Sequence, residues 1–192
     1  MNVDEMQLAR NAAGGELRAA TELVDRFYER IYAFLRRLAG SESDAADLTQ
    51  KTFTRVWSAL PRFAGRSTLS SWLHGIAGHV WQDWRRANHR LESRSDAWWA
   101  ELADDQRGPD AAVAAADLAT TVYAAVDELD PEARQAVHLH YYQGLTLEET
   151  SEALGVPTST LKYRLRTAVQ ELRSRVVEKP SALRTLNPVQ RP

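Results

Sequence analysis

The sequence predicts an all-α protein: two small helical domains joined by an acidic linker, the second carrying a helix-turn-helix. Three observations predict it. Apolar residues recur at three- and four-residue spacing through each long segment, the period of amphipathic helices. The stretch Thr146–Arg166 reads as helix, tight turn, helix. Charge comes in blocks: Arg85, Arg86, Arg90 and Arg94, then Asp96, Glu101, Asp104, Asp105, Asp110 and Asp117, then Lys162, Arg164, Arg166, Arg173 and Arg175. Gly108-Pro109 and an alanine-rich run lie in the acidic block and have the composition of a linker. The boundaries that follow are 1–94 for the first domain, 95–118 for the linker and 119–177 for the second domain. A flexible tail, 178–192, holds Pro180, Pro188 and Pro192.

Residues 4–13 make a short helix ending at Gly14-Gly15. Leu17, Ala20, Val24, Phe27, Tyr28, Ile31, Phe34, Leu35 and Leu38 then trace one face of a long second helix, which Gly40 ends. Ser41 or Ser43 caps a third, with Asp44 and Asp47 in its first turn, where acids complement the helix dipole. Ala45, Leu48, Thr52, Phe53, Val56, Trp57 and Leu60 form its apolar half, and Asp44, Asp47, Gln50, Lys51, Thr54, Arg55 and Ser58 the polar half. Pro61 stops it, and Phe63–Ser67 is a loop rich in hydrogen-bonding groups. In the fourth helix Leu69, Trp72, Leu73, Ile76, Val80 and Trp84 make the buried stripe, leaving Gly75, Gly78, His79, Gln82, Arg85 and Arg86 outside. Two mid-helix glycines cost about 1 kcal/mol each relative to alanine. Either another group approaches closely there or the helix is simply irregular.

In the second domain Thr146 stands three residues before Glu149, a capping box at a helix start. Gly155 supplies the turn after Leu154, and Pro157 fits at the start of the next helix, where its missing N–H does no harm. Leu161, Leu165, Ala168, Leu172 and Val176 form the buried stripe of that helix. Ser159, Lys162, Tyr163 and Arg166 lie on the opposite arc, with Arg164 at its flank. An apolar back and a front of cations and hydroxyls suit the major groove of DNA; the plain alternative is an ordinary solvated amphipathic helix.

Composition narrows the class. A net charge of −2 does not advertise a nucleic-acid binder, so the basic blocks matter more than the sum. Zero cysteines remove disulfides, thiol redox sensing and cysteine-based zinc sites. No eighteen-residue apolar run and no signal-peptide pattern occur, which together predict a cytoplasmic protein. Catalysis is not expected. His79 and Asp83 share a face at i,i+4 without a third ligand, and His138 and His140 are two apart, so no metal site forms. No phosphate-binding glycine loop, nucleophile elbow or zinc motif is present, and no cofactor is expected.

The run Asp44-Ala-Ala-Asp47-Leu48-Thr49-Gln50-Lys-Thr52-Phe53, with Arg55-Val56-Trp57, Phe63-Ala-Gly65-Arg-Ser67 and Ser71-Trp72-Leu73-His-Gly-Ile76-Ala77, resembles the first conserved domain of bacterial extracytoplasmic-function (ECF) sigma factors. Leu129-Asp-Pro131, Arg134, Gly144-Leu145-Thr146, Glu149, Leu154-Gly155-Val156-Pro157 and Thr160-Leu-Lys162-Tyr-Arg164-Leu165 resemble the second. The resemblance runs from about residue 4 to 176, in the right order around a variable acidic linker.

By position, the resemblance assigns Asp44, Asp47, Gln50, Lys51 and Arg55 to docking on the clamp helices of the largest subunit of core RNA polymerase. A solvated face with Asp47 and Lys51 paired at i,i+4 is the alternative. It assigns Arg66, Ser67, Ser70 and His79 to opening the start-proximal (−10) element and holding a flipped base. Arg85, Arg86 and Arg90 would then hold phosphates. Lys162, Tyr163 and Arg166 would read base edges of the upstream (−35) element, with Thr158, Ser159 and Arg164 on its backbone. The chain departs from the family at His79, Gly75 and Gly78, which bears on the start-proximal sequence preferred, and again at Thr150, Ser151, Thr167 and Val169, which implies a weaker or altered upstream preference. The linker, with Trp98-Trp99, would thread toward the polymerase active centre; packing of the tryptophans on a domain is the alternative for the free protein. An anti-sigma protein that masks both domains is also implied. The competing function is a helix-turn-helix transcription regulator that binds duplex DNA unaided.

Overall fold

The computed structural model describes residues 3–88 and 121–178, and among them every regular element is helical. In order these are α1 (Val3–Ala13), α2 (Leu17–Ala39), α3 (Glu42–Ala59), a 3-10 turn (Leu60–Arg62) and α4 (Leu69–Ala87). The second stretch holds α5 (residues 121–127), α6 (Pro131–Val137) running into a π-turn (His138–Tyr142), α7 (Leu147–Leu154) and α8 (Thr158–Glu178). Two compact units lie within these residues. One is within Met1–Leu91 together with Gln135–Tyr163, the other within Glu92–Arg134 together with Arg164–Pro192. Arg90, the acidic linker with Trp98-Trp99, and the tail beyond residue 178 lie outside the described residues.

The helix ends follow local chemistry. Ser41, not Ser43, caps α3: its Oγ accepts from the Asp44 N–H at 3.0 Å and donates to the Asp44 carboxylate at 2.7 Å. Gly40 takes the left-handed conformation, φ +90°, that closes α2. Thr68 caps α4 by accepting from the Ser71 N–H at 3.1 Å. Asp130 Oδ1 accepts from the Glu132 and Ala133 amides, both at 3.0 Å, and so starts α6. At α7 both halves of the capping box form, Glu149 N–H to Thr146 Oγ1 at 3.1 Å and Thr146 N–H to Glu149 Oε2 at 2.9 Å.

The first unit's core is built from Leu23, Phe27, Ile31, Phe34, Leu35 and Leu38 of α2, Leu48 and Val56 of α3, and Leu69, Leu73 and Trp81 of α4, all essentially sealed from solvent. Leu139, Leu145 and Ala153 join the same cluster. This shifts the predicted α2 stripe. Leu17 is 80% exposed and Tyr28 39%, while Leu23 is fully buried. On α4 the buried arc is wider than the predicted stripe: His74, Ala77 and Trp81 are buried, and Trp72, Ile76 and Trp84 only partly so. The Trp81 indole N–H donates to the Leu38 carbonyl at 3.1 Å, which satisfies the polar end of the largest buried side chain. The second unit buries Val126, Leu129, Ala133, Leu165 and Ala168, and ion-pairs the buried Arg134 to Asp127 at 2.7 Å.

Candidate nucleic-acid interface

Three surfaces collect the residues that the sequence singles out. On α3 the burial of Ala45, Leu48, Thr52 and Val56 turns Asp47, Gln50, Lys51 and Arg55 outward, and Asp44 is half-buried beside its cap. Thr49 and Thr52, though polar, turn inward, and their hydroxyls bond the Ala45 and Leu48 carbonyls at 2.7 Å. Trp57, placed in the apolar half by its spacing, is 37% exposed at the edge of the polar face.

The second surface is the loop after Pro61 with α4. Arg62, Phe63, Ala64, Arg66, Ser67 and Trp72 line a cleft of about 290 Å³, and the Phe63 and Trp72 rings lie 4.9 Å apart. An aromatic pair flanked by two arginines and a hydroxyl presents stacking faces beside cations, the composition that single-stranded bases accept. Arg66 and Ser67 are thus brought together, with Arg62 added to them. Ser70 is not: it is buried, and its Oγ has no hydrogen-bond partner among the described residues. His79 is exposed farther along α4. Arg85 lies with its guanidinium 5.5 Å from the centre of the Trp81 ring.

Asp83, which the sequence brought up only beside His79, is an organising residue of this surface. It accepts from Arg55 at 2.8 Å and from Arg86 at 2.6 Å, and these bonds, Arg55's first, hold its carboxyl below the usual range. Arg55 and Arg86, assigned to different surfaces, therefore share one carboxylate. The three-residue spacing of Asp83 and Arg86 was the only signal in the sequence, since Arg55 comes from another helix.

The third surface is α8. Leu161, Leu165 and Ala168 are buried, which leaves Ser159, Lys162, Tyr163 and Arg166 exposed on one arc, Tyr163 at 61%. Thr158 points its hydroxyl at Ser151 Oγ, 3.2 Å away. Arg164 ion-pairs with Glu132, and Arg175 with Glu128 and Glu171. Two of the cations counted in the basic block are therefore held by carboxylates.

Residues 23–91 match Sigma-70 region 2, and residues 125–174 match Sigma-70, region 4. ECF RNA polymerase sigma factor SigK of Mycobacterium ulcerans is 32% identical over 171 residues, 87% of this chain and 90% of that protein. The chain belongs to the ECF RNA polymerase sigma factors. RNA polymerase sigma factor NccH of Alcaligenes xylosoxydans xylosoxydans is 31% identical across 89% of this chain and 93% of its own length. ECF sigma factor SigE of Mycolicibacterium smegmatis is 35% identical over 154 residues, and there the match spans 59% of SigE. Among solved structures, CnrH, determined with the cytosolic domain of CnrY, superposes with a TM-score of 0.70 at 24% identity, covering 91% of this chain and 98% of CnrH. The sigma factor RpoE of Bartonella quintana, determined with the anti-sigma factor NepR, gives 0.64 at 18% identity, covering 85% and 99%. These two likenesses establish the fold of the sigma factor. No helix among the described residues is long and apolar enough to cross a membrane.

Proposed function

We propose that this sigma factor works in the cytoplasm without catalysis of its own, by dividing three tasks among its three surfaces. The polar face of α3 docks on core RNA polymerase through Asp44, Asp47, Gln50, Lys51 and Arg55. The cleft at Phe63 and Trp72, with Arg62, Arg66 and Ser67, takes an unstacked base of the start-proximal element, while Arg85 and Arg86 hold its phosphates. The front of α8 reads the upstream element through Lys162, Tyr163 and Arg166, with Ser159 and Arg164 on the backbone. The observation that carries this reading is the match to Sigma-70 regions 2 and 4 in order, each bearing an exposed face of the required chemistry.

The chemistry assigns the tasks. Clamp docking needs directional polar contacts on a rigid support, and a helix anchored by Leu48 and Val56 supplies one. Base capture needs aromatic faces, because flipping costs a few kcal/mol that stacking must return. Upstream reading needs donors at base edges, which Lys and Arg provide to guanine. A protein partner that covers these surfaces and silences them is also proposed; the sigma factor RpoE of similar fold was solved in complex with the anti-sigma factor NepR.

Docking is tested by charge reversal on α3. Asp47→Lys combined with Lys51→Glu is expected to lower co-purification with core polymerase at least ten-fold. Both side chains are exposed, so thermal stability should stay within about 0.5 kcal/mol of the parent. Undiminished co-purification would remove α3 from the polymerase contact.

A further inference from the structure

Asp83 is the one carboxylate of α4, set three residues before Arg86 near the end of the helix. Its surroundings do not favour a negative charge. An acid near a helix C-terminus opposes the dipole, and an acid on a face given to phosphates opposes the ligand. Its partners account for it. Asp83 Oδ2 lies 2.8 Å from an Arg55 nitrogen and Oδ1 2.6 Å from an Arg86 nitrogen, so the carboxylate is divided between a cation of α3 and one of its own helix. Arg55 directly precedes the buried Val56, which fixes α3 against the core. Arg86 is thereby tied to a rigid point. The side chains of Arg55, Asp83 and Arg86 are 51%, 44% and 73% exposed, and pairs so exposed contribute little to stability. A stabilising role does not explain the arrangement.

The geometry points to Asp83 as a specificity-determining residue of promoter engagement: it holds Arg86 on the protein and so restrains affinity for nucleic-acid backbone of any sequence. Every strand offers phosphates, and a phosphate contact carries no base information. Each cation left free for backbone therefore tightens promoter and unrelated strands alike, and reduces the share of binding that the bases decide. With Arg86 on Asp83, a strand must displace a charge-assisted hydrogen bond before it gains that cation. A strand whose base is also stacked at Phe63 and Trp72 stays long enough to do so; an unrelated strand leaves. Arg55 is part of the restraint. Its bond, ahead of that from Arg86, keeps the carboxyl below the usual range and so ionised near neutral pH. The inference rests on the proposed grip of Arg86 on the start-proximal strand and deepens it.

Asp83→Asn keeps the shape and removes the charge. Fluorescence anisotropy of the full chain with oligodeoxythymidylate, across a salt series, reads the released cation. The variant should bind about three-fold or more tighter than the parent, and its logarithmic salt slope should steepen by about 0.7, the value for one added phosphate contact on a single strand. With core polymerase and a library of promoter templates, its run-off should spread over more templates than the parent's. A side chain that merely braced α3 against α4 would not steepen the slope when neutralised. Unchanged or weaker binding, or run-off confined to the parent's templates, overturns the proposal. So does a gain that survives in Asp83→Asn with Arg86→Ala, because the carboxylate would then act by its own charge and not through Arg86. The underlying reading fails separately. If Arg86→Ala leaves opening at the parent's templates intact while Asp83→Asn still steepens the slope and spreads run-off, the grip on the start-proximal strand fails and the restraint of Arg86 stands.

Discussion

His74 and Trp81 carry the residue-scale physics of α4. Trp81 fills the first unit's core and has its one polar atom satisfied by Leu38. Trp81→Ala should cost about 3–5 kcal/mol, the range for emptying a large buried aromatic site, read by urea denaturation. His74 is fully buried, with Nδ1 2.8 Å from the Ser70 carbonyl and its ring edge-on to Phe34. Burial, opposed by the Ser70 bond and reinforced by nearby Arg30, lowers its pKa to about 4. A folded pKa below the unfolded one means that the unfolded chain binds the extra proton. The neutral ring's contribution is therefore complete above about pH 6.5 and is lost as pH falls toward 4. Between pH 7 and pH 5 the loss should be on the order of 2 kcal/mol in denaturation experiments. His74→Phe should flatten that slope, and an unchanged slope would show that another group titrates. Neither residue was assigned to the core by the sequence. A polar ring and an aromatic one position off the chosen stripe are legible as core only when elements cover both sides of α4.

At the scale of elements, short-range chemistry was readable and long-range cover was not. The capping box at Thr146 and Glu149 and the turn at Gly155 rest on contacts within a few residues, and the structure places them as expected; of the α8 stripe, Leu161, Leu165 and Ala168 are buried and Leu172 partly so. Thr146→Ala should cost about 1 kcal/mol, measured as a shift in thermal midpoint. The α2 frame was drawn through Leu17 and Tyr28 because apolar residues on that helix exceed the arc that gets buried. Its last turn buries Arg36 and Arg37 instead, which spacing rules count as surface. Gly75 and Gly78 were readable as an anomaly, and only Ala153 and Gln135, some 60–80 residues on, explain it. On α8, Arg166→Ala should relax discrimination at one base pair by about 1–3 kcal/mol, whereas Arg164→Ala should weaken binding evenly across sequences. A binding selection with both variants checks the register, and swapped outcomes would rotate it.

For the whole molecule, the order of the two sigma regions around an acidic block was legible from end to end, because each region carries its own helix signals and motif. The partition into compact units was not, since it depends on which distant segment settles on α4. The same holds for the shared carboxylate at Asp83, which couples an α3 cation to an α4 cation. Function in this account needs polymerase and promoter gripped together by separate faces, so binding to either one alone tests it less sharply than initiation does. The most direct measurement is run-off transcription with sigma-free core polymerase, the purified chain and a library of promoter templates. Initiation confined to templates sharing an upstream and a start-proximal element is the predicted result. No initiation on any template, with tight binding of the free chain to duplex DNA, would contradict it.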